Sequence, residues 1–234
     1  MEKFAAIVLS AGTGSRMKSD IPKQYMDLNG RPVIYYSLKA FEDSDVDSIV
    51  LVTGRDDIEY CRKEIVEKYG FTKVRAIIAG GAERYDSVFE GLKAVKDCDY
   101  VMIHDGARPM LNQDIIKRSW RGAVEYKACV AGMPVKDTIR VVADDGTAIS
   151  TPDRKSLWQI QTPQAFDYRL IYEAYSKVLA DVKAGKQKAN ITDDAMIVEC
   201  ASHEKVHMTE GDYRNIKITT PEDIQVAEIF LKKM

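Results

Sequence analysis

Short, near-continuous apolar runs alternate with longer helix-type stretches, and the alternation begins at the N-terminus. Ala5 to Leu9, Ser48 to Val52, Val74 to Ile78, Tyr100 to His104 and Ala128 to Ala131 have the hydrophobicity of strands covered on both faces. Between them the pattern predicts helices over Pro32 to Phe41, Asp57 to Tyr69, Tyr85 to Val95 and Asn112 to Tyr126. Pro32 suits a first helical turn, and Asn112 is placed to cap the N–H groups of the fourth helix. Repeated strand–helix units of this kind predict an α/β fold, a mostly parallel open sheet with helices on both faces.

The pattern changes between Pro134 and Gln164. Thr138 to Val142 and Leu157 to Gln161 flank a polar stretch, Ala143 to Thr147, with turn chemistry. An antiparallel β-arm at about 136–161 is expected. A two-stranded ribbon is marginal alone, so it is expected to pack against a second copy of the chain, as a homodimer. An ordinary edge hairpin of a monomer is the alternative. Helices follow from Asp167 to about Ala180, from Asp193 to Glu199 and from Pro221 to Lys232, with a polar loop before the second of these. The chain carries no internal repeat.

Composition narrows the class. The 234 residues carry 34 Lys and Arg against 36 Asp and Glu, a formal charge of −2, which argues against a dedicated nucleic-acid binder. At 45% hydrophobic and 30% charged, with apolar residues spread throughout, residues 1–234 are expected to form one domain around a sizeable core. No apolar run approaches the roughly 20 residues of a membrane helix, so no membrane partner is expected. Cys61, Cys98, Cys129 and Cys200 include no C-x-x-C pair. They read as buried or half-buried thiols in a reducing cytoplasm.

Candidate chemistry starts at the end of the first strand. Ser10-Ala11-Gly12-Thr13-Gly14-Ser15-Arg16-Met17 is a glycine-rich turn where open α/β sheets bind ligands. Glycines let backbone N–H groups close around a phosphate. The third glycine of G-x-G-x-x-G would fall at Met17 and no G-x-x-x-x-G-K-[ST] occurs, so neither a dinucleotide fingerprint nor a P-loop is present. A tight turn without ligand remains open. Arg16 follows the loop directly, and Lys23 follows Pro22. Two cations beside a phosphate cradle suggest chemistry on phosphate, with a solvated basic loop as the alternative. At the end of the fourth strand, His104-Asp105-Gly106-Ala107-Arg108-Pro109 offers Asp105 as a hydroxyl or Mg²⁺ partner, or as a turn cap.

Together these residues resemble the 2-C-methyl-D-erythritol 4-phosphate cytidylyltransferases. The resemblance spans nearly the whole chain. It rests on Ala11 to Met17, Pro22-Lys23-Gln24-Tyr25, Gly80-Gly81-Ala82-Glu83-Arg84 with Asp86-Ser87-Val88, and His104 to Pro109. It continues through Asp137-Thr138-Ile139, Asp153-Arg154, Thr162-Pro163-Gln164, Ile191-Thr192-Asp193-Asp194-Ala195 and Asn215 to Thr219.

The resemblance implies a Rossmann-like nucleotidyltransferase fold and transfer of CMP from CTP to methylerythritol phosphate, with release of pyrophosphate and participation of Mg²⁺ or another divalent cation. By similarity, Arg16, Lys23, Arg154 and Lys217 are the catalytic cations. Ala11, Gly12, Thr13 and Gly14 would cradle the triphosphate, and Gly81, Ala82 and Ser87 the nucleoside side. Asp105, Arg108, Thr138 and Thr162 would meet the substrate, with Asp105 a candidate metal ligand. Arg108 and Thr138 are expected to come from the partner across a dimer interface. The reaction requires preorganised positive charge more than a covalent nucleophile, which agrees with the residues at hand.

Two further patterns are set against this. His203-Glu204-Lys205-Val206-His207 matches the zinc-protease string H-E-x-x-H, but the alternation that continues through Met208 and Thr209 predicts a strand, not a helix. His104 reads as a hydrogen-bonded strand-end residue, because a phosphomonoester nucleophile is already ionised near neutral pH. Ribitol 5-phosphate cytidylyltransferase is the near alternative, sharing the glycine loop, Pro22-Lys23-Gln24 and Asn215-Ile216-Lys217. Asp153 to Trp158 and Thr192 to Ala195 look more like the methylerythritol enzymes. A nucleotide-binding regulatory module without turnover is the alternative from another class.

Overall fold

The computed structural model describes residues 2–12, 17, 21–185 and 191–232. Strand β1 (Phe4–Ser10) forms parallel ladders with two neighbours, β4 (Ser48–Thr53) and β6 (Tyr100–Asp105). β5 (Val74–Ala79) extends this parallel part beyond β4. On the other side β10 (Trp158–Asp167) runs antiparallel to β6 and to β7 (Ala128–Pro134). β11 (His207–Glu210) closes the edge parallel to β7. The seven-stranded order is β11-β7-β10-β6-β1-β4-β5, a mostly parallel sheet as the sequence predicts. The two-residue strands β2 (Asp27–Leu28) and β3 (Arg31–Pro32) pair separately.

Alternation along β1 divides the core. Phe4, Ala6 and Val8 face α1 (Val33–Glu42) and α4 (Gln113–Tyr126), packing with Ile34, Leu38, Phe41 and Ile115. Ala5 and Ile7 face α3 (Arg84–Ala94), α5 (Tyr168–Lys183) and α6 (Asp194–Ala201), packing with Leu92, Tyr175 and Ile197. Each fully buried Leu, Ile or Phe contributes on the order of 1.5–3 kcal/mol through removal from water. A smaller cluster of Met17, Leu28, Val33, Met110 and Ile218 lies under α7 (Pro221–Leu231).

Element boundaries follow local chemistry. Asn112 is the N-cap of α4, its side chain accepting from Ile115 N at 3.0 Å. Asp167 and Asp193 cap α5 and α6 in the same way. Pro32 stands one position before the α1 helix, as its N-cap, where its missing N–H costs nothing. The stretch expected as one helix from Asp57 is a short helix α2 (Ile58–Tyr60) running into a π-helical segment, Cys61–Glu67.

The arm differs from its expected pairing. Leu157 to Gln161 does not pair with Thr138 to Val142. Trp158, Gln159 and Ile160 pair with Pro134, Met133 and Gly132 of β7, because that register continues a strand already anchored in the main sheet. The separate two-stranded sheet is β8 (Val141–Val142) with β9 (Ala148–Ser150). Thr138 to Arg140 lie outside any strand. Among the described residues, no helix is long and apolar enough to cross a membrane.

Candidate active site

The carboxyl ends of β1 and β6 lie side by side because the two strands pair in parallel, with Leu9 opposite Asp105. This is where ligands bind in open α/β sheets. A cavity of about 200 Å³ opens there. Ala11 and Gly12 line one wall, Gly81, Ala82 and Ser87 another, and Lys23, Asp105 and Lys217 also face it. Thr13, Gly14 and Arg16 lie outside the described residues.

The wall formed by Gly81 and Ser87 is built by the start of α3. Ser87 Oγ accepts from Gly81 N and donates to Glu83 O, both at 3.1 Å. Glu83 and Asp86 form a reciprocal capping box. A Cβ on Gly81 would stand 2.3 Å from the Asp86 Cβ, so the close approach requires glycine.

The opposite side is organised around Asp105. Its Oδ2 accepts from Lys217 Nζ at 2.8 Å and lies 3.8 Å from Arg108 Nε, while its Oδ1 accepts from Arg84 Nε at 3.3 Å. Burial alone would raise the Asp105 pKa, but Arg84, Lys217 and Arg108 outweigh it and hold the carboxyl far below its ordinary range. Arg84 is in turn held by Asp194, through Nη1 to Oδ1 and Nη2 to Oδ2, both at 2.8 Å. These three cations face two carboxylates, leaving one positive charge in excess beside the cavity.

Lys217 is delivered by an extended segment rather than by a ladder strand. Ile218 N donates to Ala107 O at 2.8 Å. The buried Asn215 donates from Nδ2 to Thr162 O at 2.9 Å, and its own carbonyl accepts from Arg108 Nη1 at 2.8 Å. Within this chain Arg108, expected to be lent across an interface, lies beside Asp105 and donates to the Asn215 carbonyl.

Two other expectations are corrected. Thr162 does not offer a free hydroxyl to a substrate. It sits where β10 leaves its ladder, and its Oγ1 accepts from Asp105 N at 3.1 Å and lies 3.0 Å from His104 Nδ1. Thr162 thus positions Asp105. Asp105 does not fit direct coordination of a divalent metal, since both its oxygens are committed to cations that would repel a third. Among the described residues, no group of three His, Cys, Asp or Glu is arranged to hold a metal ion.

His104 is fully buried and hydrogen-bonded, as expected. Thr162 Oγ1 donates to Nδ1 and Nε2 donates to Arg108 O at 3.3 Å in the one tautomer that satisfies both contacts. Burial is the main cause that pushes its pKa down to about 3, keeping the imidazole neutral. His207 begins β11, so the H-E-x-x-H string is not on a helix.

Thr138 and Arg154 lie away from the cavity. Thr138 is exposed on the segment leading to β8. Arg154 begins a single 3₁₀ turn, Arg154–Ser156, and donates to Lys136 O at 2.9 Å. Conversely, sequence reasoning assigns no role to Arg84, Gln24 or Asp194. Arg84 and Gln24 face the cavity directly. Gln24 and Asp194 are buried polar side chains and Arg84 is half-buried, a property that only the folded chain reveals.

Residues 4–233 match the profile of the 2-C-methyl-D-erythritol 4-phosphate cytidylyltransferase family. The enzyme of that name from Lachnospira eligens is 55% identical over 230 residues, covering 97% of this chain and 98% of the relative. The one from Lachnoclostridium phytofermentans is 51% identical over 233 residues, covering 100% and 98%. The crystal structure of 4-diphosphocytidyl-2C-methyl-D-erythritol synthase from Anaerococcus prevotii superposes with a TM-score of 0.85 at 36% identity, over 99% of this chain and 96% of that one. Similarity that runs through both the glycine-loop half and the Lys217 half, at this identity and on the same fold, has one consequence: this chain belongs to the 2-C-methyl-D-erythritol 4-phosphate cytidylyltransferase family.

Proposed function

We propose that the chain catalyses transfer of CMP from CTP to 2-C-methyl-D-erythritol 4-phosphate, giving 4-diphosphocytidyl-2-C-methyl-D-erythritol and pyrophosphate. The observation that carries this reading is the meeting of a glycine-lined wall and a cluster with excess positive charge in one cavity, in a member of this family. A phosphate oxygen of the acceptor attacks the α-phosphorus of CTP, a P–O bond forms, and the bond to the bridging oxygen of pyrophosphate breaks in line.

Charge grows on the α-phosphoryl oxygens and on the leaving pyrophosphate. Lys23 and Arg16 stabilise it, with Lys217 on the acceptor side, where Asp105 and Arg108 orient the substrate. The backbone of Ala11, Gly12, Thr13 and Gly14 cradles the triphosphate, while Gly81, Ala82 and Ser87 hold the nucleoside. A divalent cation, Mg²⁺ first among candidates, would supply charge neutralisation to the triphosphate when bound, and Asp105 is kept for the cations it already pairs with.

The active form in this proposal is a homodimer. The arm exposes Ile139, Val141, Val142 and Ile149, apolar side chains that a second copy would cover. Thr138 and Arg154 lie on that arm, and in the dimer they reach the partner's cavity. Residues 1–234 act as one nucleotidyltransferase domain in the cytoplasm, a setting that suits four free cysteines.

Pyrophosphate release with CTP and Mg²⁺ tests the reading, comparing methylerythritol 4-phosphate with ribitol 5-phosphate. Release with the first acceptor only is expected. Release only with ribitol 5-phosphate would move the acceptor and keep the mechanism, and CTP binding without release from either would indicate a regulatory module.

A further inference from the structure

Asp194 is fully buried at the first position of α6, yet it points at the active-site cluster rather than at its own helix. Its two oxygens take the forked face of the Arg84 guanidinium, and Oδ1 also accepts from Tyr175 OH at 2.6 Å. Arg84 is left with its Nε edge for Asp105 Oδ1. Consequently the second oxygen of Asp105 is available to Lys217. The order Tyr175, Asp194, Arg84, Asp105, Lys217 is a continuous chain of charge-assisted contacts from the core to the cavity.

The main chain at Asp194 is fixed to the same place by a second route. Gln164 Oε1 accepts from Asp194 N at 3.1 Å and from Ala195 N at 2.9 Å, while Gln164 Nε2 donates to Asp193 Oδ2 at 3.0 Å. Gln164 lies two residues beyond Thr162, whose hydroxyl accepts from Asp105 N. Both routes end on Asp105.

We infer that Asp194 is a positioning residue for the transfer reaction: by occupying the fork of Arg84 it limits that guanidinium to one contact with Asp105 and keeps Asp105 paired with Lys217. This rests on the function proposed above. Without the Asp194 carboxylate, the Arg84 fork turns to Asp105, the carboxylate its Nε already contacts, and draws it away from Lys217. The nucleoside wall is not disturbed in this event, because Gly81, Ser87 and Glu83 are held by contacts of their own.

The test is steady-state pyrophosphate release on Asp194→Asn, Arg84→Ala and the double variant, with melting temperatures as the folding control. Asp194→Asn keeps the shape but turns an amide donor toward the guanidinium. It is expected to lower kcat/KM for the acceptor by about tenfold or more, with KM for CTP changing by less than about threefold. In the Arg84→Ala background it should cause no further loss. An unimpaired Asp194→Asn enzyme overturns the inference, and so do losses that multiply in the double variant, which would make Asp194 only a structural residue. Tyr175→Phe removes one contact to Asp194 and leaves the Arg84 pair. It provides the same cycle should Asp194→Asn not fold, with a two- to fivefold loss expected that again vanishes without Arg84. A wild-type protein that releases no pyrophosphate overturns the functional reading itself. A wild type that turns over beside a fully active Asp194→Asn overturns the positioning role alone.

Discussion

Gln24 Nε2 lies 2.6 Å from the carbonyl oxygen of Ser10, the last residue of β1. The same nitrogen donates to Gly12 O at 3.1 Å. Gln24 is buried directly after Lys23, in the 3₁₀ turn Lys23–Tyr25, so one amide ties the lysine's turn to the mouth of the glycine loop. Tyr25 fixes the other side of the turn through Thr53 Oγ1 at 2.6 Å. Gln24→Ala leaves two carbonyls without this donor, at a cost of about 1–3 kcal/mol. We expect a lower urea midpoint and a roughly tenfold higher KM for CTP. An unchanged KM in a folded variant would separate the loop's shape from Gln24.

What the sequence made legible was the part set by periodicity and by short motifs. β1, β4, β5, β6 and β7 fall on apolar runs because both faces of those strands are covered. Lys217, Asp105 and Gly81 stand at one cavity because each follows or approaches a strand's carboxyl end. The missed features depend on long-range register. Trp158 pairs with Pro134 and not with the 138–142 run, which no local pattern encodes. Likewise Arg84 and Asp194 are 110 positions apart in sequence, so their ion pair is visible only after folding.

Lys23 lines the cavity next to the glycine wall. Charge on the α-phosphoryl group peaks in the transition state, so a cation aimed there assists turnover more than it assists binding. Lys23→Ala is expected to reduce kcat by about a hundredfold while weakening equilibrium CTP binding by less than about tenfold. Equal losses in the two measurements would assign Lys23 to binding.

The wall at Gly81 has no room for a side chain. Gly81→Ala places its Cβ against the first turn of α3, which must shift and carry Ser87 with it. We expect KM for CTP to rise by about tenfold or more, with kcat for bound substrate reduced far less. A calorimetric CTP titration that matches wild type would show that the nucleoside lies elsewhere.

His104 supplies a pH-dependent element of stability. Its pKa is pushed down to about 3 in the folded protein, chiefly by burial, with the Arg108 charge adding to this and Asp105 opposing it. The unfolded chain takes up the proton near pH 6.5 and the folded one does not, so stability falls as the pH drops from about 6.5 toward 3. The full loss is on the order of 4–5 kcal/mol. Asp105, whose carboxyl is depressed, adds a loss in the same direction only below about pH 4. His104→Gln should therefore flatten the stability profile between pH 4.5 and 6.5 in urea titrations. Parallel profiles for variant and wild type would place the acid sensitivity in other groups.

The arm provides the test of assembly. Ile149 is 65% exposed and Val142 52% exposed, on the paired strands of a hairpin that makes no ladder with the main sheet. Two strands of two and three residues bury little apolar surface between themselves. In the proposed homodimer, cover from a second copy would supply what the hairpin lacks and would bring Thr138 and Arg154 to a cavity they do not line in their own chain. Ile149→Glu puts a charge on that face, where burial in an interface is unfavourable by several kcal/mol. The expected result is a shift from dimer to monomer by light scattering, with an activity loss that high protein concentration partly reverses. Arg154→Ala should lose activity while remaining dimeric, because it removes only a reacting-site contact. A wild type of monomeric mass with full activity would refute the shared site, and Arg154 would then be a solvated arm residue.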